Sequence, residues 1–184
     1  MADELIDICD ENNKFLNIQK MKSEAHKEGL WHRVSHILVY NSHGEVLLQL
    51  RAKKKLLYPD RWDISVAGHV SAGEDPLTSG LREVEEEIGL KLKKEDLDFW
   101  MIRKAKVMFR EMKNNEFYYV YFFQFDDDIK QLKLQKYEVQ KIQFLSINTI
   151  KKELKINPDK YVPHGNYWFD ILDEVTKRVS ALNA

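Results

Sequence analysis

Cysteine is nearly absent. Cys9 is the single one in 184 residues, so no internal disulfide can staple the chain and no cysteine pair can hold a metal. With no second thiol available, Cys9 reads as a small buried side chain rather than a redox centre. No apolar run approaches the ~20 residues needed to cross a bilayer. The opening "MADELIDICDE" is acidic where a signal peptide would be basic and then apolar, so a cytoplasmic protein is expected. An excess of charge of one sign is also missing. The 29 Lys+Arg against 30 Asp+Glu leave a net −1, which offers no long-range attraction to a nucleic-acid polymer or a membrane. Repeats and low-complexity linkers are lacking too, and a chain of this length reads as one domain that buries roughly 70% of its unfolded surface.

What is present is a series of short strands. "ELIDICD" and "FLNIQ" alternate apolar and polar residues around "ENNK" and read as a hairpin, followed by a polar link from Lys20 to Gly29. "WHRVSHILVYNSHGEVLLQLRA" reads as two strands around the turn Asn41 to Gly44. "KKKLLYPDRW" is a loop, "DISVAG" a short strand, and a helix follows from Asp75. "FWMIRKAKVMFR" and "FYYVYFFQFD" read as strands around a polar turn, Lys113 to Glu116, the second apolar on both faces and therefore deep in a sheet. "KIQFLSI" is a last strand, followed by a helix over about Asn148 to Lys155 and a C-terminal helix, "GNYWFDILDEVTKRVSAL". Strands on both sides of central helices imply the α/β class, with a mixed sheet between helical layers.

One stretch carries chemistry: "GHVSAGEDPLTSGLREVEEEIGL", Gly68 to Leu90. Asp75 is placed as an N-cap, Pro76 as the first helical residue and Gly89 as the left-handed terminator. That puts Glu83, Glu85, Glu86 and Glu87 at the C-terminal end of the helix. The macrodipole is already negative there, so each acid is unfavourable by roughly 0.3–1 kcal/mol. Leu77, Leu81, Val84 and Ile88 make an apolar stripe, while Glu83, Glu86 and Glu87 share a neighbouring face at i, i+3 and i+4. Carboxylates converging beside a buried stripe repel one another, and a hard divalent cation such as Mg²⁺ or Mn²⁺ relieves the repulsion. The spacing points to a metal site.

The stretch resembles the signature of the Nudix hydrolases, G-x5-E-x7-R-E-U-x-E-E-x-G-U with U aliphatic, at every fixed position: Gly68, Glu74, Arg82, Glu83, Val84, Glu86, Glu87, Gly89 and Leu90. The odds of a chance match in a chain of this length are on the order of 10⁻⁷. The resemblance implies the Nudix fold, an α/β/α sandwich, here with an added N-terminal β-hairpin. It implies residues 1–29 as a hairpin and link packed on the domain, 30–163 as the Nudix domain with its motif at 68–90, and 164–184 as a C-terminal helix. It implies Mg²⁺ or Mn²⁺ bound by Glu83, Glu86 and Glu87 with the carbonyl of Gly68, Arg82 orienting a motif carboxylate such as Glu74, and tight turns at Gly68 and Gly89. The implied activity is hydrolysis of a diphosphate bond in a nucleotide-like small molecule, by a protein that in relatives is commonly a dimer. The general base is a motif glutamate (Glu86 or Glu87) or Glu116. Arg51 is a candidate phosphate ligand, whereas Lys53 to Lys55 read as a solvated loop. Trp31, Trp62 and Tyr58 read as core rather than base-stacking residues.

"EAHKEGLWHRVSH" and "LLQLRAKKKLLYPDRWDISVAGHVSAGE" are further similar to the isopentenyl-diphosphate-isomerase-like branch of the superfamily. True isomerases of that branch need a cysteine just before the Gly-His that opens the motif, and this chain has Ala67 there. A methyl group cannot exchange a proton with a substrate carbon, so isomerisation is disfavoured. The isomerase metal site also uses histidines and two glutamates. Here His26, His32 and His69 fall at the histidine positions, and Asn114 and Glu116 at the glutamate ones. The expectation is that these histidines pack or hydrogen-bond rather than keep a second metal. His36, His43 and His164 carry no signal. A non-catalytic nucleotide sensor is the remaining alternative, although such a module gains nothing from keeping every motif carboxylate.

Overall fold

The computed structural model describes residues 3–109 and 112–182. In chain order the elements are β1 (Leu5–Cys9), β2 (Phe15–Met21), α1 (Lys22–Glu28), β3 (Trp31–Tyr40), β4 (Glu45–Arg51), β5 (Trp62–Asp63), β6 (Val66–His69), α2 (Pro76–Ile88), β7 (Asp98–Phe109), β8 (Met112–Gln124), β9 (Val139–Ser146), α3 (Ile147–Ile156) and α4 (Tyr167–Leu182). The class is α/β, as the sequence implies. Two compact units divide the chain: Met1–His36 with Ala67–Glu83 and Leu92–Tyr121, and Ile37–Val66 with Val84–Lys91 and Phe122–Ala184.

In the first unit the N-terminal hairpin forms as expected, β1 pairing antiparallel with β2 through Ile6↔Lys20 and Ile8↔Ile18. Ile6 and Ile8 point to one side and are buried, packing with Ala25 and Leu30. The hairpin tip is held by Asn13, a residue with φ 66°. Its amide donates to the Tyr119 hydroxyl at 2.7 Å, and its side-chain and backbone oxygens accept from Arg33 at 2.8 Å each. The expected polar link after the hairpin is instead the helix α1. With seven residues it is too short to show a periodic stripe, and the burial of Ala25 and His26 together with left-handed Gly29 at its end defines it.

The turn expected at Lys113 to Glu116 is not found there, because those residues lie inside β8. Their polarity has a local reason. Asn115 donates to the Gly29 carbonyl at 2.6 Å, while Asn114 and Glu116, two apart and so on the opposite face, are buried.

In the second unit β4 pairs antiparallel with β9 (Val46↔Leu145, Leu48↔Gln143) and β5 (Leu50↔Trp62), and Trp62 also makes a parallel bridge to Tyr161. Val46, Leu47, Leu48 and Gln49 are all buried, so both faces of β4 are covered. Ser146 caps α3, accepting from the Thr149 N–H at 3.2 Å. In α4, Tyr167, Trp168, Ile171, Leu172 and Val175 are buried, an i, i+1, i+4, i+5, i+8 stripe. Among the described residues no helix is long and apolar enough to cross a membrane.

Helix α2 starts and stops where the sequence places it. Asp75 accepts from the Thr78 N–H at 3.0 Å and the Thr78 hydroxyl at 2.6 Å, ahead of Pro76. These bonds hold the Asp75 carboxyl below its ordinary pKa. At the other end Gly89 has φ 72°, and the carbonyls of Glu87 and Ile88 accept from the N–H groups of Gln135 and Lys133 at 3.0 and 2.9 Å. A Cβ on Gly89 would lie 2.8 Å from Lys133 Cβ and 3.0 Å from its carbonyl oxygen. Gly89→Ala is therefore expected to cost about 1–3 kcal/mol and lower Tm by about 3–10 °C in thermal denaturation. An unchanged Tm would show that this helix end is not constrained.

Candidate active site

On α2 the apolar stripe is deepest at its C-terminal end, where Val84 and Ile88 are fully buried. The same turns present four glutamates in different settings. Glu85 is exposed and pairs with Lys91 at 3.1 Å, Glu86 is exposed, Glu83 is half-buried and Glu87 is buried. A helix end that is anchored on one side thus carries carboxylates on the other.

Glu83 is fixed from two directions. Its carboxyl lies directly over Gly68, where any Cβ would collide with it. The motif glycine is required because another side chain must occupy that space. Arg82 Nη1 donates to Glu83 Oε1 at 2.7 Å. Glu74, one candidate for the carboxylate oriented by Arg82, is farther, at 3.5 Å from Nε, and accepts from the Ser79 hydroxyl at 2.5 Å. Arg82 Nη2 donates to Ser71 Oγ at 3.0 Å and to the His69 carbonyl at 3.3 Å. The motif arginine therefore ties Glu83 to the loop after β6.

Glu87 is held by a residue that the sequence did not single out. The Gln49 amide, buried on β4, donates to Glu87 Oε2 at 2.9 Å. Buried polar pairs of this kind cost free energy unless matched, so Gln49 fixes the orientation of the Glu87 carboxylate. No sequence signal marked it, because a glutamine in "LLQLR" reads as an ordinary strand residue.

His26, His32, His69 and Glu116 come together, each offering one ligand atom within 4.8 Å of the others. His26 Nε2 is 3.3 Å from His32 Nε2 and 3.2 Å from His69 Nε2, while Glu116 Oε1 is 3.5 Å from His32 Nε2 and 3.9 Å from His69 Nε2. His32 Nδ1 donates to the Leu30 carbonyl at 2.9 Å, which fixes the ring with Nε2 turned to the other members of the cluster. Burial, reinforced by His32, lowers the His26 pKa to about 4, so its ring is neutral at physiological pH. Burial pushes the Glu116 carboxyl up, but a hydrogen bond from His32 and the pull of the His32, His26 and His36 rings in their protonated forms outweigh it and leave the group below its ordinary value.

The histidines were expected to pack or hydrogen-bond rather than hold a second metal, and their rings lie within hydrogen-bonding distance of one another. They also converge on one point together with a carboxylate, an arrangement that suits a shared cation better than a shared proton. Asn114, on the same face of β8 as Glu116, is buried with its side-chain oxygen lacking a hydrogen-bond partner among the described residues.

Arg51 is engaged at every nitrogen. Nη1 donates to Asp63 at 2.9 Å, Nη2 to the Leu57 carbonyl at 2.9 Å, and Nε to the Leu57 and Tyr58 carbonyls at 3.2 Å each. Asp63 also accepts from His164 Nε2 at 2.7 Å, a partnership the sequence did not signal. Lys55 pairs with Glu138. Tyr58 is buried, and Trp31 packs on Phe117 with ring centroids 4.9 Å apart.

A NUDIX domain model matches residues 30–165. Nudix hydrolase 3 of Arabidopsis thaliana is 34% identical over 182 residues, which cover 94% of this chain and 24% of the plant protein, so the chain spans about a quarter of that relative. The isopentenyl-diphosphate Delta-isomerase of Pectobacterium atrosepticum is 27% identical over 164 residues, 89% of this chain and 86% of the isomerase. Among solved structures, a Deinococcus radiodurans protein superimposes with a TM-score of 0.70 at 19% identity over 94% of this chain and 99% of that one. A bifunctional NMN adenylyltransferase/ADP ribose pyrophosphatase from Francisella tularensis, complexed with AMP and a Mn ion, does so with 0.56 at 18% over 78% and 42%. These structural likenesses are of fold.

Asp63 yields a pH prediction. Burial alone would raise its pKa, but the charge and hydrogen bond of His164 and the charge of Arg51 hold the carboxyl far below its unfolded value of 3.8. A depressed carboxylate contributes stability that is complete above the unfolded pKa and is lost as pH falls below it. Asp63→Asn, which removes the carboxylate shared by Arg51 and His164, is expected to cost about 3–5 kcal/mol at neutral pH. In denaturant titrations the gap to the parent should narrow below about pH 4. A gap that stays constant from neutral pH to pH 3 would contradict this assignment.

Proposed function

The chain belongs to the Nudix hydrolases, and on that premise we propose that it cleaves a diphosphate bond in a nucleoside diphosphate-linked or similar nucleotide-like substrate, using Mg²⁺ or Mn²⁺ held by Glu83, Glu86, Glu87 and the Gly68 carbonyl. The observation that carries this reading is the fixing of the motif carboxylates: Glu83 between Gly68 and Arg82, and Glu87 on Gln49. All the proposed donors are hard oxygens, which suits those ions. When bound, the cation offsets charge on the phosphate oxygens and lowers the pKa of a water.

The protein's own part is to orient and to move one proton. Arg82 and Gln49 hold Glu83 and Glu87 in place, so those carboxylates need no reorganisation when substrate arrives. Glu86, solvent-facing on the same helix, is assigned the general-base role, receiving the proton of the attacking water on a carboxylate oxygen. Glu116, the outside candidate, lies against His32 and His69, and we assign it to the histidine cluster instead. Arg51 acts through the Leu57–Asp63 loop that it ties down. We place the protein in the cytoplasm, acting on a small molecule.

The convergence of His26, His32, His69 and Glu116 favours a second reading alongside the first: a separate divalent-cation site. Three imidazoles and one carboxylate suit Mn²⁺, Fe²⁺ or Zn²⁺ better than Mg²⁺. Ala67 still removes the protonation step, so isopentenyl diphosphate should remain unconverted. His32→Ala is expected to abolish one class of bound Zn²⁺ in equilibrium dialysis, and identical Zn²⁺ stoichiometry in parent and variant would remove this second site.

The first reading is tested by incubating the protein with Mg²⁺ and a panel of nucleoside di- and triphosphates, nucleotide sugars and dinucleotides. Phosphate or nucleoside monophosphate should be released. Glu87→Gln should lower kcat/KM by about 100-fold or more, and Gln49→Leu, which cannot donate to Glu87, by about 10–100-fold. A panel without turnover, identical in parent and variants, would overturn the assignment.

A further inference from the structure

Outside the motif, a carboxylate reaches its arginine. Glu4, the residue just before β1, accepts from the Ser71 hydroxyl at 2.6 Å, and its Oε1 lies 3.5 Å from Arg82 Nη2. Ser71 Oγ in turn accepts from Arg82 Nη2 at 3.0 Å, and Arg82 Nη1 donates to Glu83 at 2.7 Å. A continuous chain of polar contacts therefore runs Glu4, Ser71, Arg82, Glu83. The backbone keeps Glu4 in register. The Ala72 N–H donates to the Leu5 carbonyl at 2.9 Å, Ile6 bridges to Ser71, and the Gly73 N–H donates to Asp7 at 3.0 Å. The Lys22 N–H closes on the Glu4 carbonyl at 2.7 Å.

We propose that Glu4 is a positioning residue for the metal-binding carboxylate Glu83, acting through Ser71 and Arg82. Two physical effects support this. The first is geometric: a guanidinium is a planar fork, so fixing Nη2 through Ser71 and Glu4 fixes the direction in which Nη1 meets Glu83. The second is electrostatic: Glu4, Glu74 and Glu83 share the single positive charge of Arg82. With Glu4 in place, Glu83 is less fully neutralised by Arg82 and keeps more of its charge for a cation. Removing the Glu4 charge lets the guanidinium pair more completely with Glu83, in competition with the cation. The N-terminal hairpin is thereby part of the site's machinery as well as a covering element.

This inference rests on the proposed cation site at Glu83, and the test separates the two. Mn²⁺ affinity is measured directly by electron paramagnetic resonance titration of the full chain, and half-saturating Mg²⁺ is measured on whichever panel substrate the parent turns over. Glu4→Gln can still accept from Ser71 and should fold, yet it loses the charge. Glu4→Asp shortens the reach and keeps the charge. Glu4→Gln is expected to weaken Mn²⁺ binding and raise half-saturating Mg²⁺ by about 10-fold, with kcat at saturating Mg²⁺ changed much less, and Glu4→Asp to recover part of the loss. A purely structural role would lower Tm while leaving both cation readouts at the parent value. That result, in a parent that binds Mn²⁺ and turns over, overturns the role of Glu4 alone. A parent that neither binds Mn²⁺ nor turns over removes the cation site and this inference with it.

Discussion

Negative charge crowded onto the negative end of a helix is the constraint from which the site follows. Glu83, Glu85, Glu86 and Glu87 fall in the last two turns of α2, and no basic residue lies in its final turn to offset the macrodipole. Burial of Val84 and Ile88 on the other side prevents the helix from turning or fraying to separate these charges. The protein answers with a different device for each carboxylate. Glu83 receives a guanidinium, Glu87 receives a buried amide, Glu85 has a surface lysine, and Glu86 lies at the exposed surface.

Those devices depend on features remote in sequence. Gly68 must lack a side chain so that Glu83 can lie across it, and Gly89 must adopt positive φ so that the chain can leave the helix beside Lys133. Arg82 does not stand alone, because Ser71 and Glu4 share it, and the hairpin holding Glu4 is itself pinned at its tip by Asn13 on Arg33 and Tyr119. The motif is a local sequence pattern, but its geometry is supplied by strands that the pattern does not mention.

The legibility of the sequence follows the same division. Helix α2, its Asp75 cap and its Gly89 stop were readable because capping and periodicity are local rules. The hairpin and the strands β3, β4 and β9 were readable from alternation and turn residues. Helix α1 was not, since two turns carry too little pattern. The start of β8 was misread because Asn114, Asn115 and Glu116 look like a turn, whereas their polarity reflects the buried histidine cluster on one face and Gly29 on the other. Gln49, Glu4 and the Asp63–His164 pair left no signal, since each acts only through a partner tens of residues away.

Ala67 lies two residues before His69, and Asn114 stands at one of the glutamate positions of the isomerase branch, so the histidine cluster lacks part of that branch's machinery. The hydrolytic reading depends instead on α2. Anomalous diffraction from crystals soaked in millimolar Mn²⁺ tests it most directly. The account predicts an anomalous peak about 2.2 Å from carboxylate oxygens of Glu83, Glu86 and Glu87. Density at the histidine cluster with none along α2 would contradict it.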